Sequence, residues 1–208
     1  ITGKPLIGSR WVDVNKGDDQ DPDYRSRLVA KEIKTDQRLD LFAATPPLEA
    51  KKFLFSLAMS RRANSGKSLK IQFIDIKRAY FHAKAVRDVY VDLPIQDYVE
   101  GYCGKLVYAM YGTRDAAQNW GEECAETMMK IGFKQGKASP STFYHPQKKN
   151  RTYIHRDDFV SVAKDSERKW LRTELGKRYE LKTQVLGPNK SELQEVRIPN
   201  RVVKWQAD

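Results

Sequence analysis

"TYIHRDDFVSV", residues 152–162, sets Asp157 and Asp158 side by side between two runs of strand-forming residues. The stretch reads as a hairpin with two carboxylates at its tip. A free Asp titrates near ~3.9, so both are ionised at neutral pH. Two like charges about 4 Å apart repel by roughly 4 kcal/mol at an effective dielectric of about 20. Water, a basic neighbour or a metal ion has to offset that repulsion.

A second stretch bears on the choice. In "LKIQFIDIKRAYFHA" (69–83), Ile71, Phe73, Ile74 and Ile76 make a run that is apolar on both faces, as in a central strand. Asp75 lies inside it. A carboxylate in a buried strand is costly unless it is paired or bound to a cation. A structural salt bridge to Lys77 or Arg78 and a metal-ligand role both remain open. Asp75 and Asp157 are 82 residues apart. If their strands are neighbours in one sheet, three carboxylates meet at one edge. Hard divalent cations take oxygen ligands, and Mg²⁺ commonly takes one or two carboxylates plus substrate phosphates. A pair of such ions serves in-line phosphoryl displacement.

The remaining pattern supplies a frame for these acids. "RWVDV" (10–14) and "RSRLVAKEI" (25–33) predict a long hairpin around a turn-rich linker. Arg25, Arg27 and Lys31 alternate along it, which places them on one strand face. That face is either a solvated surface or an anion-binding one. Residues 45–63 predict a helix capped by Thr45 with Pro46 in its first turn. Strands follow at 88–94 and 104–112. The stripe of Ala117, Trp120, Cys124, Met128 and Ile131 predicts a helix over 114–132 with a core-facing side. Strands are expected at 141–145, 151–155 and 159–164, and a helix at 165–179 with Asp165 as its cap. Two or three short strands close the chain, one of them at 201–205. Antiparallel strands with interspersed helices define the class as α+β.

Composition narrows the partners. The chain has 208 residues, with 38 Lys and Arg against 27 Asp and Glu, a net charge of +11. Between residues 130 and 190 the balance is 15 basic to six acidic, so the acidic pair sits inside a cationic stretch. Such an excess suits a polyanion, most often nucleic acid, although a plain basic protein has the same arithmetic. Cys103, Cys124 and three histidines show no metal-ligand spacing, which argues against zinc and for a reducing, intracellular compartment, cytoplasmic or nuclear. No apolar run approaches the length of a membrane span. The opening "ITGKPLIGSRW" reads as an excised segment.

The motifs "RSRLVAKE", "FIDIKRAYFHA", "VYVDLP", "CGKLVYAMYGTRDAAQNW", "GF…ASPSTFYH", "HRDDFV" and "ELKTQVLGP", in that order, resemble the reverse transcriptase of copia-like long-terminal-repeat retrotransposons. The resemblance runs from about Trp11 to Gly187. It implies a polymerase-type palm, an antiparallel sheet with helices on one face, plus small fingers and little thumb. The expected division is fingers-like 10–66, palm-like 67–187, and a thumb-proximal start at 188–208. It implies RNA-directed DNA synthesis on a primed RNA or DNA template from deoxynucleoside triphosphates. It implies two Mg²⁺ ions, with Mn²⁺ as a substitute, held mainly by Asp75 and Asp157 with Asp158 supporting. Tyr80 matches the aromatic gate against a ribose 2′-hydroxyl, or is an ordinary core tyrosine. Arg25 and Arg27 match contacts to the incoming triphosphate, and Gly112 and Arg114 match the loop beneath the templating pair. Lys31 and Arg156 are expected nucleic-acid contacts.

Departures from the family pattern open rival readings. The acidic box reads His155-Arg156-Asp157-Asp158, without the usual tyrosine and with a cation inside. Strand alternation would put Arg156 and Asp158 on one face, paired with each other or with Arg156 on a primer phosphate. The family's "GLKQAPRAW" becomes "GTRDAAQNW", and the residues after the palm-like part are too few for a full thumb or an RNase H domain. A catalytically inactive nucleic-acid-binding relic is the alternative, and a two-metal nuclease is a third reading.

Overall fold

The computed structural model describes residues 6–34, 38, 40–60, 69–187, 189–198 and 201–206. The chain forms two compact units. One comprises residues 1–43 and 78–123, the other 44–77 and 124–208.

The second unit is built on a six-stranded sheet. Its strands are β4 (Lys70–Ile76), β7 (Lys134–Gln135), β8 (Thr142–His145), β9 (Asn150–His155), β10 (Asp158–Ala163) and β11 (Leu181–Leu186). They lie in the order β11-β4-β10-β9-β8-β7, with every pairing antiparallel. β4 is therefore central, as its two-sided apolar pattern requires. Side-chain alternation puts Ile71, Phe73 and Asp75 on one face and Gln72, Ile74 and Ile76 on the other. Helix α1 (Leu48–Ser60) covers the first face, where Leu54 and Ala58 join Ile71, Tyr153, Val160, Val162 and Leu186 in one buried cluster. The hairpin of β12 (Glu195–Ile198) and β13 (Arg201–Lys204) adds Val196 and Val203 to it.

Helix α3 (Asp165–Gly176) packs on β10, β4 and β11 from the other face, with Arg168 beside Gln72, Thr183 and Val185. Helices thus flank both faces, not one as expected. The reason is that both faces of β4 are apolar, and each needs a cover.

The first unit holds two small sheets. The hairpin β2 (Ser9–Asn15) and β3 (Tyr24–Ala30) pairs antiparallel from Ser9↔Ala30 to Asn15↔Tyr24. β1 (Leu6–Ile7), β5 (Tyr90–Val91) and β6 (Gly104–Lys105) form the other. Ala30, Val89, Val91 and Met110 make its core. The expected strands at 88–94 and 104–112 shrink to two residues each, because 106–109 bonds in turn to Val89 and Ala83 rather than to one partner.

Helix boundaries move for local reasons. α1 starts at Leu48, not Thr45, since Thr45 and Pro46 each precede a proline and are steered out of the helical region. Residues 61–63 of that expected helix lie outside the described residues. α2 (Ala116–Lys130) is shorter by two residues at each end than expected. In α3 the cap position belongs to Lys164, with no side-chain cap. Asp165 is the first helical residue and holds Arg168 and Lys169 one turn on.

Candidate active site

The second unit assembles the acidic residues. In the β4–β10 ladder Asp75 is the direct partner of Asp158. On the outer sides the same row continues to Lys182 of β11 and His155 of β9. Cross-strand partners share a face, with Cβ atoms about 4.5–5.5 Å apart. The row Lys182–Asp75–Asp158–His155 therefore lies on the face that α1 and the β12–β13 hairpin partly cover.

Asp157 reaches the same place by another route. Arg156 and Asp157 form the two-residue turn between β9 and β10, and the Asp157 carbonyl accepts a hydrogen bond from the Ile76 amide at 3.2 Å. That bond continues the ladder one step past Asp75 and ties the turn to the end of β4. All three acids thus gather at one end of the sheet. Arg156 takes φ +60°, a left-handed conformation usual for glycine. Strand alternation does not govern it, so the expected shared strand face of Arg156 and Asp158 does not arise.

Electrostatics registers the crowding. Burial, reinforced by the charges of Asp157 and Asp75, pushes the Asp158 carboxyl up to about 6, with Arg156 opposing. Burial and the Lys51 and Arg156 charges lower the His155 imidazole, against Asp157. Burial and the Asp158 charge raise the Tyr153 phenol. Lys77, one candidate partner for Asp75, pairs with Glu180.

A cleft of about 780 Å³ opens on this face. Asp75, Asp158, His155 and Tyr153 line it together with cations that sequence reasoning did not single out: Lys51, Arg172, Lys182 and Arg197. Apolar Phe73, Val160 and Val196 complete the walls. Asp157 is not in that lining. An all-carboxylate donor set suits a hard divalent cation, and such a cation would offset the burial and the neighbouring negative charges that raise the Asp158 carboxyl. The side chains as they stand form no ready cage: among the described residues, no three His, Cys, Asp or Glu groups are arranged to hold a metal ion.

The nucleotide-contact candidates lie in the first unit. The Arg27 guanidinium sits 4.3 Å from the Tyr111 ring centroid, and Tyr80 packs on the same ring at 4.4 Å. Tyr111, unmarked in the sequence reading, is what joins Arg27 to Tyr80, and its place within "AMYG" was the only hint. Tyr80 stands in a short 3₁₀ turn, Ala79–His82, because the chain leaves β4 through Arg78 at φ 54°. Gly112 has φ +89°, and a Cβ there would fall 1.9 Å from the Ala30 carbonyl oxygen. The Arg114 amide donates to Glu32, which Arg87 also binds along with Asp115. Arg25 pairs with Asp23 at 2.8 Å, and exposed Lys31 donates its amide to the Gly8 carbonyl. Glu32, Arg87 and Asp115 thus fix the 112–115 loop to the end of β3.

Acids from two adjacent strands thus meet at one end of an antiparallel sheet, beside a cation-lined cleft, in a mixed α+β fold. Residues 2–193 match the family model described as reverse transcriptase (RNA-dependent DNA polymerase), so the chain belongs to that family. It is similar to the retrovirus-related Pol polyprotein from transposon RE1 of Arabidopsis thaliana, 26% identical over 77% of this chain and 11% of that protein. It is likewise similar to the Pol polyprotein from transposon TNT 1-94 of Nicotiana tabacum, 25% identical over 89% of this chain and 14% of that protein. Transposon RE2 of Arabidopsis thaliana gives 23% over 77% of this chain. The domain is of the copia type, and the chain spans about a seventh or less of the length of these relatives. Among the described residues no helix is long and apolar enough to cross a membrane.

Proposed function

We propose that this chain is the polymerase portion of a retrotransposon polyprotein and carries out RNA-directed DNA synthesis, with the six-stranded sheet as its palm. The observation that carries the reading is the pairing of Asp75 with Asp158, with the Asp157 carbonyl bonded to the next residue of β4. Asp75 and Asp157 would hold two Mg²⁺ ions, with Asp158 in support and Mn²⁺ as a substitute. Bound there, the ions would lower the pKa of a primer 3′-hydroxyl and neutralise charge on the departing pyrophosphate.

The protein's own groups do the rest. Lys51, Lys182 and Arg197 hold the polyanion over the acids. Arg27, kept in place by Tyr111, and Arg25 contact the triphosphate. Tyr80 reads the sugar, and Gly112 and Arg114 support the templating pair. Lys31 and Arg156 contact nucleic-acid phosphates. Positioning of this kind supplies much of the rate in phosphoryl transfer.

The deciding experiment is primer extension with Mg²⁺ on a primed RNA template. Extension that is lost on both Asp75→Asn and Asp157→Asn supports the reading, and extension that survives both substitutions overturns it. Two observations favour a second reading, an inactive nucleic-acid-binding relic: no acid cage is formed among the described residues, and the Arg156 charge acts on Asp158. Salt-dependent primer–template binding without extension, at any divalent cation, would establish it.

A further inference from the structure

The face of the sheet opposite the carboxylates carries a second cavity, about 380 Å³, between α3 and strands β4 and β11. Its lining is polar: Gln72, Thr183, Gln184 and Ser191 alongside Asp165, Arg168, Lys169, Arg172 and Glu192. Two of these side chains are almost wholly buried and incompletely bonded. Gln72 and Arg168 are each 3% exposed. The Gln72 Oε1 accepts no hydrogen bond and the Arg168 Nε donates none. Buried polar groups left in that condition cost about 1–3 kcal/mol each, so native structures satisfy them with water or ligand.

The charges around the cavity select among ligands. Arg168 and Lys169 both pair with Asp165, and Glu192 pairs with Lys70. Arg172 lines the cavity and enters no ion pair among the described residues. The cavity therefore has one cation beyond those already matched, one buried donor and one buried acceptor. Water alone would satisfy the buried donor and acceptor and hydrate the exposed Arg172, but the unpaired positive charge of Arg172 favours an anion, and with the Gln72 Oε1 turned inward an anion that only accepts meets lone pairs. The matching ligand is an anion that keeps a proton.

We propose that this cavity binds a protonated phosphate oxyanion, inorganic phosphate or pyrophosphate, with its oxygens accepting from Arg168 Nε and Arg172 and its P–OH donating to Gln72 Oε1. The cavity shares Arg172, Thr183 and Gln184 with the carboxylate cleft, but Gln72 and Arg168 line only the cavity, and binding there does not depend on polymerase activity. Sulfate is the discriminating probe, because it has the same shape and lacks the proton at neutral pH.

The test is isothermal titration of the full chain with phosphate, pyrophosphate and sulfate, at constant ionic strength. Saturable phosphate or pyrophosphate binding, at least about tenfold tighter than sulfate, is expected from one hydrogen bond to a charged group. The stronger of the two titrants identifies the source. Gln72→Leu should remove the preference over sulfate, and exposed Arg172→Ala should weaken both oxyanions without touching the fold. Asp75→Asn should leave the binding unchanged. Should Gln72→Leu not fold, the sulfate comparison decides together with Arg172→Ala set against Lys182→Ala, which lines only the carboxylate cleft and should leave the binding unchanged. Equal affinity for sulfate, absence of saturable binding, or binding insensitive to Arg172→Ala would each overturn the proposal.

Discussion

At the scale of single residues, Asp158 and Arg156 make the sharpest statements. Asp158 has its carboxyl raised from an ordinary value of 3.8 to about 6. Between those values the folded chain holds more protons than the unfolded one, so stability falls as pH rises through that window. The loss is complete above about pH 6. Asp158→Asn should therefore stabilise the metal-free protein at pH 7.5 by about 1–2 kcal/mol, after discounting for solvent screening. The gain should vanish below about pH 4, as read by urea denaturation across pH. Arg156 occupies a left-handed turn position that costs a non-glycine residue about 1–2 kcal/mol. Arg156→Gly should recover about 1 kcal/mol in the same assay. It should also push the Asp158 carboxyl further up, since a lowering charge is gone. Extension that appears only in Arg156→Gly would identify this guanidinium as the block.

At the scale of elements, the end of β3 depends on Gly112. The Ala30 amide donates to the Tyr111 carbonyl at 2.7 Å, and the Glu32 amide to the Gly112 carbonyl at 3.3 Å. No side chain fits between them. Gly112→Ala should cost about 2–4 kcal/mol through positive φ and a backbone clash. Amide exchange should rise across Leu28–Glu32 with little change in β4 or β10. α3 supports the sheet by packing: Leu171 and Leu175 are fully buried. Leu171→Ala should destabilise the second unit by about 2–5 kcal/mol, measured by chemical denaturation.

At the scale of the whole molecule, a net charge of +11 would make the proposed nucleic-acid binding electrostatic. A protein neutralising six to ten phosphates loses about 10³–10⁵ in affinity between 50 and 200 mM salt. Fluorescence anisotropy with a labelled primer–template should show that steep linear log–log dependence for wild type. Lys182→Ala and Arg197→Ala should each lower the slope by about one. A slope near zero would remove the cleft from the nucleic-acid path.

What could be read from residues alone was local and periodic. The apolar two-sided run of 70–76, the hairpin 150–163 and the helical stripe of Trp120, Cys124 and Met128 each follow from the side-chain spacing of strands and helices. The family motifs, too, are strings of neighbours in the chain. The partnership of Asp75 with Asp158 was conditional on strand order, and strand order is a property of hydrogen bonding between segments 83 residues apart. Lys51, Lys182 and Arg197 were illegible for the same reason: nothing in their own neighbourhoods distinguishes them from other surface cations. Arg156 shows the reverse case. Its sequence position suggested a strand face, and the two-residue turn, closed by the Asp157 carbonyl on Ile76, gave it a left-handed backbone instead. Chain-local periodicity determined which elements exist. Only the ladder register, set by burying both faces of β4 at once, decided which charges meet.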